Sequence, residues 1–127
     1  MRAQYATRPR QQISDILRRE RRYLSAAEIY DLLRRARANV SLSTIYRTLG
    51  LLEEQGHASS RTDERGEATY VLCAPTHHHH AICRQCGKVE EVACDAIERV
   101  AAALREYHSF HLADHAMEFF GRCAACR

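Results

Sequence analysis

Lysine is nearly missing from this chain, with Lys88 its single example, and long apolar runs are missing altogether. No stretch approaches the length needed to cross a bilayer. The leading residues MRAQYATRPRQQISD hold no apolar signal core, so the expectation is a cytoplasmic protein with no membrane partner. Scarce lysine does not mean scarce positive charge. Residues 1–66 carry 13 Arg and no Lys against 8 acids, a net +5, while residues 67–127 carry 5 Arg and 1 Lys against 8 acids, a net −2. The first half is therefore the one suited to a polyanion, because the planar, forked guanidinium fits phosphates and base edges better than an ammonium does. At 127 residues the chain is one domain or two small ones, each marginal alone and in need of a metal or a partner.

The six cysteines point to that metal. Cys83 and Cys86 are separated by two residues, as are Cys123 and Cys126, and such loops let both sulfurs of a pair face one ion. Together the pairs supply four ligands for a closed, structural zinc site, although the 36 residues between them exceed the usual ribbon spacing. A disulfide framework is the competing reading, disfavoured in a reducing compartment. Four consecutive histidines, His77 to His80, precede the first pair.

Along the chain, Ile13, Ile16 and Leu17 recur at helical spacing over residues 8–20, with arginines on the other side. Ser25-Ala-Ala-Glu28 is a capping box opening a second helix that carries Ile29, Leu32 and Leu33 and ends near Arg37. Ser43 is placed to cap a third helix with a core stripe of Ile45, Leu49 and Leu52, stopping at Gly56. Tyr46 and Arg47 then face outward near its start. Residues 57–73 read as a hairpin turning at Asp63-Glu-Arg-Gly66. Three helices followed by a hairpin make a winged helix; the plainer reading is a three-helix bundle with an irregular hairpin. Pro75 marks a boundary, giving domains 1–74 and 75–127. In the second, Val89–Val92 forms a strand, Asp95 and Glu98 begin a helix bearing Ile97, Val100, Ala101 and Leu104, and a strand runs from about His111 to Phe120. The fold class is α+β: an N-terminal winged helix, then a small α/β module stapled by zinc.

Successive side chains of a strand point to opposite faces. If the histidine run is extended, His77 and His79 share one face and His78 and His80 the other, so one run can feed two metal sites. Cys73, Glu98 and His115 are available as further ligands. Cys94 precedes the helix with no evident partner and reads as an ordinary thiol, while Met117 and Phe119 read as core.

These residues resemble the ferric uptake regulator family over nearly the whole chain. Ser41-Leu-Ser-Thr-Ile-Tyr-Arg-Thr-Leu49 is similar to its recognition helix, His77–His80 with Ala-Ile-Cys83-Arg-Gln-Cys86-Gly to its metal signature, and Gly121-Arg-Cys123-Ala-Ala-Cys126 to its end. The resemblance implies a homodimer that binds DNA when metal is present and pairs through its C-terminal domain. It implies Cys83, Cys86, Cys123 and Cys126 as structural zinc ligands, Cys73, His78, His80 and, in some members, Glu91 as a regulatory site, and His77, His79, Glu98 and His115 as a further site. Cysteine at position 73 resembles zinc-sensing members, most similar to the zinc uptake regulator branch, whereas iron and peroxide sensors more often have a carboxylate there. One departure stands out: Ser59 occupies the place of an Asp or His of zinc-sensing relatives, and Tyr23 the place of a histidine of iron sensors. His57, Asp63 or Glu91 are alternatives for the fourth regulatory position.

The function expected on these grounds is a metal-responsive transcriptional repressor, zinc-sensing, that binds a palindromic double-stranded DNA operator as a metal-loaded homodimer and is not an enzyme. Regulatory ligands on both sides of Pro75 would let one ion select a DNA-binding conformation. Soft Cys73 with imidazoles favours zinc over manganese or magnesium, with iron or manganese as other regulatory ions to test. Tyr46 is placed for a thymine methyl, Arg47 for a guanine edge or phosphate, and Ser43, Thr44 and Arg10 lie where they can hold the DNA backbone. The alternative keeps the fold and changes the signal to iron or peroxide. A zinc hydrolase, built on histidines and a nearby Glu, leaves the basic helices unexplained.

Overall fold

A computed structural model describes residues 7–95 and 97–127. The chain divides into two compact units, residues 1–76 and 77–127, against the expected break after Ala74.

In the first unit, helix α1 (Arg8–Glu20) starts at Thr7, whose side chain accepts from the Arg10 amide, with a proline in the first turn where no amide hydrogen is needed. It buries Ile13, Ile16 and Leu17. A two-residue strand β1 (Leu24–Ser25) leads into α2 (Ala26–Arg35). Here the capping box forms as expected: the Glu28 amide donates to Ser25 Oγ at 3.1 Å, and the Ser25 amide donates to Glu28 Oε1 at 2.9 Å. The helix ends at Arg35, earlier than the expected Arg37. Helix α3 (Leu42–Glu54) is capped by Ser41, not Ser43. Ser41 Oγ accepts from the Thr44 amide at 3.2 Å, so the helix begins earlier and Ser43 lies exposed within its first turn.

Strands β2 (Ala58–Thr62) and β3 (Ala68–Leu72) form the hairpin. Asp63 Oδ1 accepts from the amides of Arg65 and Glu67, and Gly66 takes φ 83°, a region that favours glycine. The antiparallel sheet has the order β1-β3-β2, with Leu24 opposite Tyr70, a pairing that the short β1 did not announce in the sequence. Ile13, Leu17, Leu24, Ile29, Leu33, Ile45 and Leu49 are all but inaccessible to solvent. Burying each such side chain contributes about 1.5–3 kcal/mol. Three helices on a three-stranded wing is the winged helix expected.

The second unit pairs β4 (His79–Cys83) with β5 (Val89–Val92) antiparallel and with β6 (Glu118–Gly121) in parallel, in the order β5-β4-β6. Helix α4 (Ile97–His108) lies between β5 and β6 in the chain. Only His79 and His80 of the histidine run belong to β4; His77 and His78 precede it. The expected strand from His111 shrinks to Glu118–Gly121, because parallel pairing begins where Glu118 meets His80 and residues 111–117 make no ladder. Phe119, expected in the core, is 43% exposed, and Phe120 beside it 45%. Neighbouring residues on a strand point to opposite sides, so both faces of β6 are partly open, the Phe120 ring lying under the Arg84 guanidinium at 4.8 Å.

Candidate functional site

Two groups of metal-ligating side chains converge within the second unit. In the first, β4 ends at Cys83, the turn to β5 carries Cys86, and the segment after β6 carries Cys123 and Cys126. The four sulfurs lie within 4.8 Å of one another. Cys86 Sγ stands 3.7 Å from Cys123 Sγ. An ideal tetrahedron with metal–sulfur bonds of about 2.3 Å has edges of about 3.8 Å, so the cage has the size of a zinc site. The backbone helps to form a thiolate here: the Cys86 amide donates to Cys83 Sγ at 3.4 Å. Such donation, from Cys86 and then Cys123, lowers Cys83 to about 6, while the neighbouring Cys123 thiol pushes Cys126 up to about 12. Thiols packed this closely cannot all ionise unless a cation balances them, and a shared divalent ion does so.

The second group is formed by His77, His79, Cys94 and His115. The three histidines were expected together. Cys94, read from the sequence as a thiol without a partner, joins them, whereas Glu98 stays exposed on the first turn of α4 and is not one of the converging groups. Cys94 was missed because its part is not a matter of strand parity: it sits in the loop between β5 and α4, and only the folded chain carries that loop to the histidines. Burial, and then the neighbouring His115 and His77, lower the His79 pKa, which favours the neutral imidazole that offers a lone pair.

His78 and His80 form their own pair, with Nε2 atoms 3.0 Å apart. The division of the run by parity thus appears in space although only half of it is strand. Glu91 lies opposite His80 across the β4–β5 ladder, and its carboxylate is 3.7 Å from His78 Nδ1. Burial and then His78 lower the His80 pKa against the opposing pull of Glu91 and Glu118. In the first unit, Cys73 is buried beyond β3, its amide donating to the His57 carbonyl at 2.9 Å. Its sulfur is 3.4 Å from Ser59 Oγ, so Ser59 stands beside the thiol.

On α3, Ile45, Thr48, Leu49 and Leu52 face the core, leaving Tyr46 52% exposed and Arg47 also exposed. Thr44 accepts at its hydroxyl from Ser41 Oγ, which fixes the first turn. Arg10 of α1 donates to Gln55 Oε1 at 2.6 Å, at the far end of α3. Among the described residues, no helix is long and apolar enough to cross a membrane.

A basic winged helix joined to a unit rich in cysteine and histidine cages has the parts of a metal-responsive DNA-binding regulator. Residues 3–120 match the model of the ferric uptake regulator family. The ferric uptake regulation protein of Legionella pneumophila is 35% identical over 122 residues, covering 95% of this chain and 90% of that protein. Among solved structures, FurB from M. tuberculosis, a zinc uptake regulator, is 38% identical, with 96% of this chain and 95% of that one covered and a TM-score of 0.57. A zinc uptake regulator complexed with zinc and DNA is 31% identical, with 95% and 82% covered and a TM-score of 0.67. The chain belongs to the ferric uptake regulator family and is a metal-responsive transcription regulator.

Proposed function

We propose that this chain is a cytoplasmic zinc-responsive repressor that binds a palindromic operator as a homodimer. What carries the zinc reading is the chemistry of the residues proposed for the regulatory site: a thiol, Cys73, with the imidazoles of His78 and His80 is a donor set soft enough to prefer zinc to manganese. Glu91, with its carboxylate 3.7 Å from His78 Nδ1, is placed to serve as a further ligand or hydrogen-bond acceptor. Ser59 contacts Cys73 without adding a charged donor. Cys83, Cys86, Cys123 and Cys126 hold a structural zinc that closes the second unit.

A zinc ion supplies a four-way crosslink between donors. The protein supplies the rest. If Cys73, His78 and His80 were to ligate one ion, that ion would couple the DNA-binding unit to the second unit and would select a DNA-binding conformation. Arg47 and Tyr46 then read base edges, while Ser43, Thr44 and Arg10 hold phosphates. The homodimer reading is supported by α4, which buries no residue, and by the exposure of Val100, Tyr107, Phe110, Phe119 and Phe120.

The test is operator binding titrated against buffered free zinc, ferrous iron and manganese. The expected outcome is tight binding at zinc concentrations where the other metals have no effect, lost in Cys73→Ala with structural zinc retained. A response to iron alone would move the chain to the iron-sensing side of the family, and no response to any metal would end the sensor reading.

A further inference from the structure

We propose that Cys94, and not Glu98, completes the group of His77, His79 and His115, making it a three-nitrogen, one-sulfur site for a borderline divalent ion such as zinc. This rests on reading the group as a metal site. The geometry is that of a cage. Cys94 Sγ lies 3.1 Å from His77 Nε2, 2.9 Å from His79 Nε2 and 3.0 Å from His115 Nε2. His115 Nε2 lies 2.9 Å from His77 Nε2 and 3.0 Å from His79 Nε2.

Hydrogen bonds among the four cannot account for these contacts. Each imidazole presents the same Nε2 to at least two others, and an imidazole nitrogen that carries the proton has no lone pair left to accept with. One that lacks the proton cannot donate. A shared cation satisfies every contact at once: the nitrogen–nitrogen edges approach the about 3.3 Å of a tetrahedron with metal–nitrogen bonds of about 2.0 Å, and the sulfur–nitrogen edges are tighter than the about 3.5 Å that a metal–sulfur bond of about 2.3 Å gives. The chemistry of the fourth donor follows from its identity. A thiolate shifts preference toward zinc and cobalt and away from manganese and magnesium, which a carboxylate would accommodate.

The placement also gives the site work to do. Cys94 lies just before α4 and His115 in the segment after it, and α4 itself buries nothing. Ligation therefore anchors both ends of a helix that the apolar core of this chain does not hold.

Cobalt(II) is the probe, added to full-length protein with zinc in the four-cysteine cage and with Cys73→Ser in the background, so that Cys94 is the one thiol outside that cage. Zinc content is followed throughout to show that the cage does not exchange. The expected result is a thiolate-to-cobalt charge-transfer band in the near ultraviolet that is lost in Cys94→Ser, with affinity falling about 100-fold or more, beyond the loss of an outer hydrogen-bond partner. Glu98→Gln should leave the band in place and the affinity essentially unchanged, because Glu98 is not among the converging groups. Cys94→His, which keeps a ligand and removes the sulfur, should bind cobalt without the band. A band that survives Cys94→Ser, or cobalt binding that fails in Glu98→Gln, overturns the assignment of Cys94. Failure of the underlying metal-site reading looks different: His115→Ala would then bind cobalt as the parent does.

Discussion

In the first unit, apolar side chains from Ile13 to Ala58 form one buried cluster drawn from three helices and a sheet. In the second, the buried residues among those described are Cys83, Val89, His79 and His80, three of them metal-ligating types, and no residue of α4 or β6 is fully buried. The first unit is organised by removing hydrocarbon from water. The second has too little hydrocarbon to remove, and its strands and helix are gathered instead around two cages of donors. A protein that must respond to metal would gain from this division, because the DNA-binding unit would keep its shape while a unit gathered on ions would depend on them.

The sharpest way to break the comparison is Cys123→Ser. It should release structural zinc and unfold the second unit, with helical signal from α1–α3 retained, as followed by zinc analysis and circular dichroism; structural zinc contributes about 10 kcal/mol or more to folding in small domains. The mirror experiment is Leu49→Ala, which should cost about 2–5 kcal/mol in denaturant unfolding of the first unit while zinc content stays the same. A fall in zinc content would show that the units are not independent. Arg47→Ala should weaken operator binding by about 1–3 kcal/mol in a fluorescence titration, with folding and metal content unchanged. Ser25→Ala should cost about 1 kcal/mol by removing one half of the capping box, again with no effect on metal.

Acid sharpens the contrast from another side. His79 and His80 both titrate below the ordinary 6.5. As pH falls, the unfolded chain takes up protons first. The stability they confer is therefore complete above about 6.5 and is lost as pH drops through their folded values. Amide exchange in β4 should quicken over that window before exchange in α1–α3 does.

Legibility in the sequence follows the same division. Local chemistry was readable in the first unit: the Ser25–Glu28 box, the stripe of Ile45, Leu49 and Leu52, and the turn at Asp63–Gly66 all stand where their spacing put them. The misplaced cap at α3 came from two serines of equal capping power, Ser41 and Ser43, between which only the folded backbone decides. In the second unit the paired cysteines and the alternation of the histidines were readable because loop spacing and strand parity are local. Cys94 was not, since its neighbours His77 and His115 are far from it in sequence and no period links them. The strand before Glu118 was overread because His115 and Met117 alternate like a strand while serving as a loop that delivers His115 to its cage.

Hydrogen exchange of the full chain with and without a zinc chelator tests the central contrast most directly. Chelation should remove protection from β4, β5, β6 and α4 and leave α1, α2 and α3 protected. Protection of the second unit that persists after the zinc is gone would contradict the account, as would the collapse of both units together.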